Sequence, residues 1–176
     1  MTLPIAYLAP KDWYKAYLIH PEEVEIEGLE SFEKQTYRNR CVITAPDGLL
    51  TMSVPVKKVE HKQLTRDIEI SYQSRWQHQH WISLVSAYKS TPFFDYYADF
   101  LKPFYEKQYR FLWDYNNEIH QTIMQLLLNS PKHIEGYAYR ATTDWRGEEL
   151  NHFFGNGISI LDDMFEYGNE TRYRLE

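Results

Sequence analysis

Two arginines one residue apart, Arg38 and Arg40, stand in the run Phe32-Glu33-Lys34-Gln35-Thr36-Tyr37-Arg38-Asn39-Arg40-Cys41. Alternate residues of a strand share a face, so a strand over Tyr37 to Thr44 points Arg38, Arg40 and Val42 one way. Tyr37, Asn39, Cys41 and Ile43 point the other. Two guanidiniums side by side, about 7 Å apart, offer fixed forks of donors to a phosphate or a carboxylate. The competing reading is an exposed strand face paired with glutamates, a commonplace arrangement.

Three other residues carry candidate chemistry. His80, in Trp76-Gln77-His78-Gln79-His80-Trp81, lies on a helix beside the stripe of Leu84, Ala87 and Tyr88. An imidazole at the edge of an apolar face, titrating near neutrality, suits a general base; a satisfied structural histidine is the alternative. Lys57 and Lys58 follow an apolar strand end, and strand ends line ligand clefts in α/β proteins; a solvated lysine pair is the default. Asp162 and Asp163 form a carboxylate pair, but helix capping accounts for Asp162. No metal is expected. On a helix the His78 and His80 rings diverge by about 200°, and no carboxylate or cysteine stands at the usual ligand spacing. No G-x-G-x-x-G, no G-x-x-x-x-G-K-[ST] and no nucleophile elbow occurs, so no dinucleotide, P-loop or serine-hydrolase chemistry and no cofactor are expected.

These residues sit in a chain of 176 residues, a length that suits one domain burying roughly 70% of its unfolded surface. At 43% hydrophobic and 25% charged residues, it has the composition of an ordinary soluble globular protein. The net charge of −6, with no block of five like charges, argues against a nucleic-acid partner and an anionic membrane surface. One cysteine, Cys41, excludes an internal disulfide and a cysteine-only metal site. The first ten residues lack a basic region and carry two prolines, so no signal peptide is expected. No run of 18 apolar residues occurs. A cytoplasmic location follows by default. The 15 tyrosines need partners for their hydroxyls, which permits sugar or base stacking without specifying either.

The positioning elements read from periodicity. Ile5 to Leu8 predicts a buried strand, Lys11 to Ile19 a short helix and Val24 to Glu27 a second strand closed by Gly28. A hairpin follows, with arms Tyr37–Thr44 and Leu50–Val56 around Ala45-Pro46-Asp47-Gly48, where proline presets φ and glycine accepts a positive one. Pro55 places that arm's end at a sheet edge. Asp67 to Tyr72 alternates again through Ile68, Ile70 and Tyr72. From Trp76 the period becomes helical, with stripe Trp81, Leu84, Val85 and Tyr88. Helices are expected over Phe94 to Tyr109, broken at Pro103, and over Glu118 to Leu128, capped by Asn116 or Asn117. Ser159 to Tyr167 is a helix with a Ser159/Asp162 capping box and closing Gly168. Residues 133–146 read as loop or strand. The fold class is α/β, a single domain whose mixed sheet and hairpin come from the N-terminal half and whose covering helices come from the C-terminal half. α+β is the alternative.

From Lys34-Gln35-Thr36-Tyr37-Arg38-Asn39-Arg40-Cys41 onward the chain resembles the WbqC-like protein family, in its Bacteroidetes version. The likeness continues through Ser53-Val54-Pro55-Val56, Ile68-Glu69-Ile70-Ser71-Tyr72, Trp76 to Trp81, Ser86-Ala87-Tyr88 and Thr91 to Tyr97. It closes with Gly157 to Asp162 and Phe165 to Glu170. Relatives carry a longer stretch with a Tyr-X-Gln-Val-Phe motif before the last helix, where this chain has only Asn151-His152-Phe153-Phe154-Gly155-Asn156. The resemblance implies a place in O-antigen or surface-polysaccharide biosynthesis and a suggested transfer of glycine or another aminoacyl or acyl group to a sugar. It carries over no catalytic residue. On such a reading, Arg38 and Arg40 bind a phosphate or carboxylate, and His80 takes a proton from the attacking group. Asn39 and Tyr88 hold the acceptor, and Lys57 stabilises developing negative charge. The small-molecule partners are an activated sugar and an acyl or aminoacyl donor. The alternatives are a non-catalytic sugar-nucleotide binding protein and a scaffold for polysaccharide-assembly proteins.

Overall fold

The computed structural model describes residues 2–19, 24–128 and 157–175. Helix and strand mix as expected. The opening strand β1 (Thr2–Pro4) pairs in parallel with β2 (Glu25–Glu27), and helix α1 (Lys11–Ile19) lies between them in sequence. The hairpin β3 (Arg40–Ala45) and β4 (Gly48–Ser53) pairs antiparallel, with Ala45 opposite Gly48 across the Pro46-Asp47 turn. Parallel and antiparallel pairing therefore occur in two separate two-stranded sheets.

Two strand boundaries differ from expectation. Ile5 to Leu8 is buried but lies past β1, held by the Tyr7 amide donating to the Tyr37 carbonyl. Leu8 there has a left-handed φ of 43°. Residues 37–39 form a turn rather than the start of β3: the Asn39 amide donates back to Thr36, and the Asn116 side chain takes the Arg38 carbonyl. Arg38 and Arg40 thus do not share a strand face.

Beyond β4 the chain makes single bridges. Val56 pairs with Ile70, and Glu69 with Phe111. The bonds Lys57 N–H to Glu69, Ser71 N–H to Pro55, Ile70 N–H to Arg110 and Leu112 N–H to Ile68 join three short extended segments. The predicted alternation holds, since Ile68 and Ile70 are buried while Glu69 points outward between its two neighbours.

Helix α2 (Trp76–Tyr88) buries Trp76, His80, Leu84 and Tyr88, one residue every fourth, with Trp81 and Val85 packed partly against the core. α3 (Phe94–Leu101) gives way to a 3-10 turn, Lys102–Tyr105, at Pro103, as the sequence predicts. α4 (Leu112–Leu128) begins six residues before its expected start, because buried Leu112 and Tyr115 extend the apolar stripe of Ile119 and Ile123. Asn116 is consequently a fully buried mid-helix residue and not a cap. α5 (Ile160–Tyr167) is capped by Ser159, whose Oγ accepts from the Leu161 amide. The Asp162 carboxylate serves Thr44 N–H and Tyr88 OH instead of closing a capping box. α6 (Thr171–Arg174) ends the described chain. The loop-or-strand reading of residues 133–146 and the shortened 151–156 stretch lie outside the described residues. Among the described residues no helix is long and apolar enough to cross a membrane.

Gly168 closes α5 at φ +56° and ψ −131°, a region open essentially to glycine alone. A Cβ there would stand 2.5 Å from the Phe93 ring. Gly168→Ala is expected to cost about 1–3 kcal/mol through strain and overpacking, read as a lowered urea midpoint. An unchanged midpoint would show that backbone and ring both relax freely.

Candidate functional site

The sequence-nominated residues fall into three neighbourhoods. The first is the 36–40 turn, entered through Gln35 at φ 66°. Arg38 is 3% exposed, and its guanidinium forks onto Glu30: Nε donates to Oε1 at 2.7 Å and Nη2 to Oε2, while Nη1 donates to Thr36 Oγ1 at 3.2 Å. The fork is engaged within the chain, as the competing reading of glutamate pairing foresaw, but in the interior rather than on an exposed face. Asn39 is buried, and its Nδ2 donates to the Val54 carbonyl at 3.1 Å. Arg40 opens β3 opposite Ser53, half-buried, with its buried Nε unbonded among the described residues.

The second neighbourhood is an aromatic interior. The α2 periodicity sends His80 inward, where Nδ1 meets Tyr7 OH at 2.9 Å and the ring also bonds the Ser53 backbone. Tyr7 OH also meets Tyr105 OH at 3.0 Å. Burial lowers the His80 pKa to about 4, against a weaker upward pull from the Ser53 carbonyl. The neutral form that a base requires is present, but the ring is buried and its Nδ1 is engaged by Tyr7. Tyr88, also buried, donates to Asp162 on α5, and burial first and that carboxylate second raise its pKa. Cys41 is buried and its thiol is pushed up by desolvation, as an inert thiol would be. His78 is exposed while His80 is buried, and among the described residues no three His, Cys, Asp or Glu gather in a group that could hold a metal.

The third neighbourhood is open to solvent and contains Lys57. The three bridged segments align Lys57, Glu69 and Arg110 across their outer face. Lys57 Nζ lies 2.5 Å from Glu69 Oε2, and Arg110 Nη2 lies 3.0 Å from Glu69 Oε1. Hydrogen bonds from Lys57 first and Arg110 second hold the Glu69 carboxyl below its ordinary range. Two depressions adjoin this triplet, and Lys57 and Glu69 line both. The larger, about 510 Å³, is walled by Tyr72, Gln73, Gln108 and Arg110. The smaller, about 220 Å³, is walled by Lys58, Val59, Gln63 and Ile68. Tyr72 OH donates to the Tyr109 carbonyl and accepts from the Tyr109 amide, which fixes the 108–110 wall. Lys58, Gln73 and Gln108 are exposed, and no side-chain partner engages them among the described residues.

Sequence reasoning reached Lys57 and missed its companions. Glu69 was legible as the outward residue of the Ile68-Glu69-Ile70 alternation. Arg110 lies 41 residues further along and has no local signal. The groove lies within the part of the chain that a family model recognises, residues 26–138, described as the WbqC-like protein family. No curated protein and no solved structure matches the chain. With the match spanning more than half of its length, the chain belongs to the WbqC-like protein family.

Proposed function

We propose that this chain, acting as one cytoplasmic domain over residues 1–176, binds an activated sugar for the assembly of O-antigen or another surface polysaccharide. The observation that carries the reading is the pair of open depressions that share Lys57 and Glu69, the larger of them also lined by Arg110. Its larger depression falls in the volume range of small-molecule sites. The amides of Gln73 and Gln108 can each donate to and accept from sugar hydroxyls, and Lys57, Lys58 and Arg110 suit a charged activating group. A panel of nucleotide sugars is expected to raise the melting temperature, since ligand at 100 times its Kd stabilises by about 2.7 kcal/mol. Gln73→Ala with Gln108→Ala should remove the shift while leaving the unliganded melting temperature in place. A panel without any shift would refute the reading.

A second reading adds chemistry: transfer of glycine or another aminoacyl or acyl group to the bound sugar. Lys57 supports it, because its ammonium stands in the groove where negative charge on an acyl-transfer intermediate could be met. His80 stands outside such a step, since its ring is buried and its Nδ1 is engaged by Tyr7. Lys57→Met should then lower kcat more than it raises KM. Ligand binding without turnover by any aminoacyl donor leaves the binding role, with polysaccharide-assembly proteins as partners.

A further inference from the structure

The Lys57–Glu69 pair lies where the two depressions adjoin, since both residues line both, while Arg110 lines the larger one. A ligand spanning both depressions would therefore pass over Lys57, with Arg110 on the side of the larger one and a wing in each. The wings differ. One depression is larger, with the half-buried Tyr72 ring and two unengaged amides. The other is less than half that volume and mixes Val59 and Ile68 with Lys58, Glu60 and Gln63. A charged centre with two unequal wings is the form of a nucleoside diphosphate sugar.

Glu69 bears on the same point. Its two carboxylate oxygens take one cation each, Lys57 on Oε2 and Arg110 on Oε1. Both cations are largely exposed, at 62% and 72% of their side chains. They are long and flexible, and exposed ion pairs hold their members weakly. A second anion can therefore recruit them without unfolding anything. Lys58 adds a third cation that has no ion-pair partner among the described residues.

We infer that the groove junction is a pyrophosphate subsite, formed by Lys57, Lys58 and Arg110, in which the Glu69 carboxylate competes with the ligand's phosphates for the cations. The inference rests on the groove being the ligand site and specifies its substrate class.

Titration calorimetry with inorganic pyrophosphate, UDP and UDP-glucose on the full chain tests this. Pyrophosphate should bind, and its affinity should fall with ionic strength. Lys57→Ala with Arg110→Ala should weaken it about tenfold, the scale of two exposed charge contacts. Glu69→Gln should bind pyrophosphate more tightly than the parent chain, because a competing anion is gone. These variants alter exposed pairs, and an unchanged melting temperature confirms that they fold. The inference is overturned if pyrophosphate does not bind, if the double variant binds it as well as the parent, or if Glu69→Gln binds it no more tightly. UDP-glucose binding that the double variant leaves intact would keep the sugar reading and remove the subsite. Pyrophosphate binding that responds to all three changes, with UDP-glucose no tighter than UDP, would keep the subsite and remove the sugar.

Discussion

Acidification from pH 7 to pH 4.5 is expected to remove several kcal/mol of this protein's stability through two buried histidines. Burial lowers the His80 pKa to about 4 and that of His120 to about 3. An unfolded chain titrates its histidines near 6.5. Below that pH the unfolded state takes up protons that the native state refuses, so stability falls as pH falls. The contribution is complete above the unfolded value and is lost progressively down to the folded values. Each histidine adds a slope of at most about 1.4 kcal/mol per pH unit, or roughly 2–3 kcal/mol by pH 4.5. His120 has the drier setting: its ring lies 4.6 Å from that of Trp13 and 5.1 Å from that of Tyr17, and its Nε2 has no partner among the described residues. Urea midpoints measured between pH 4.5 and 7.5 read the slope, and His120→Phe should flatten it by one proton's worth. A parent profile that is level across this window would mean that both imidazoles charge without unfolding the chain.

Arg38→Met should cost about 2–4 kcal/mol and should do so whether or not ligand is present. Removing one partner from a buried ion pair strands the other charge, at about 3–5 kcal/mol in a fully buried setting. Glu30 keeps 20% of its side chain exposed, which moderates the loss. Thr36 would also lose the donor at its Oγ1. Combining Arg38→Met with Glu30→Gln should cost clearly less than the two single changes added together, because the pair is removed as a unit. Chemical denaturation of the three variants measures the coupling. If Arg38→Met left stability untouched and abolished binding of a phosphorylated ligand, the guanidinium would be a ligand-binding group and Glu30 only its resting partner. Arg40 is the better candidate for that task, since it is half-buried where Arg38 is buried.

The candidate site divides along the same line. Lys57 was found because a charged residue after an apolar strand end is visible in a few adjacent letters. The outward direction of Glu69 was visible for a similar reason, the period of two around it. Arg110 was invisible, because it reaches Glu69 only through the Ile70–Arg110 and Leu112–Ile68 backbone bonds. The pairing of Arg38 with Glu30 was half visible: the sequence offered glutamates as partners but gave no sign that the pair lies inside. His80 was placed correctly beside the α2 stripe, but whether it faced a cleft or the interior depended on Tyr7, which is 73 residues away.

The sequence by itself determined the local elements and the family. Helix α1 ends where its apolar stripe ends, Pro103 breaks the helix it enters, Ser159 caps α5, and the Pro46-Asp47 turn folds the hairpin. Each of these rests on interactions within a few residues, which propensity and periodicity encode directly. The tertiary structure decided the start of α4, the turn at residues 37–39 and the partners of His80 and Tyr88. Those outcomes depend on partners tens of residues away, such as Asn116 on the Arg38 carbonyl and Asp162 on Tyr88. Burial decided them, because a buried polar group takes whatever partner the packing brings within reach, and packing has no short-range signature in the chain.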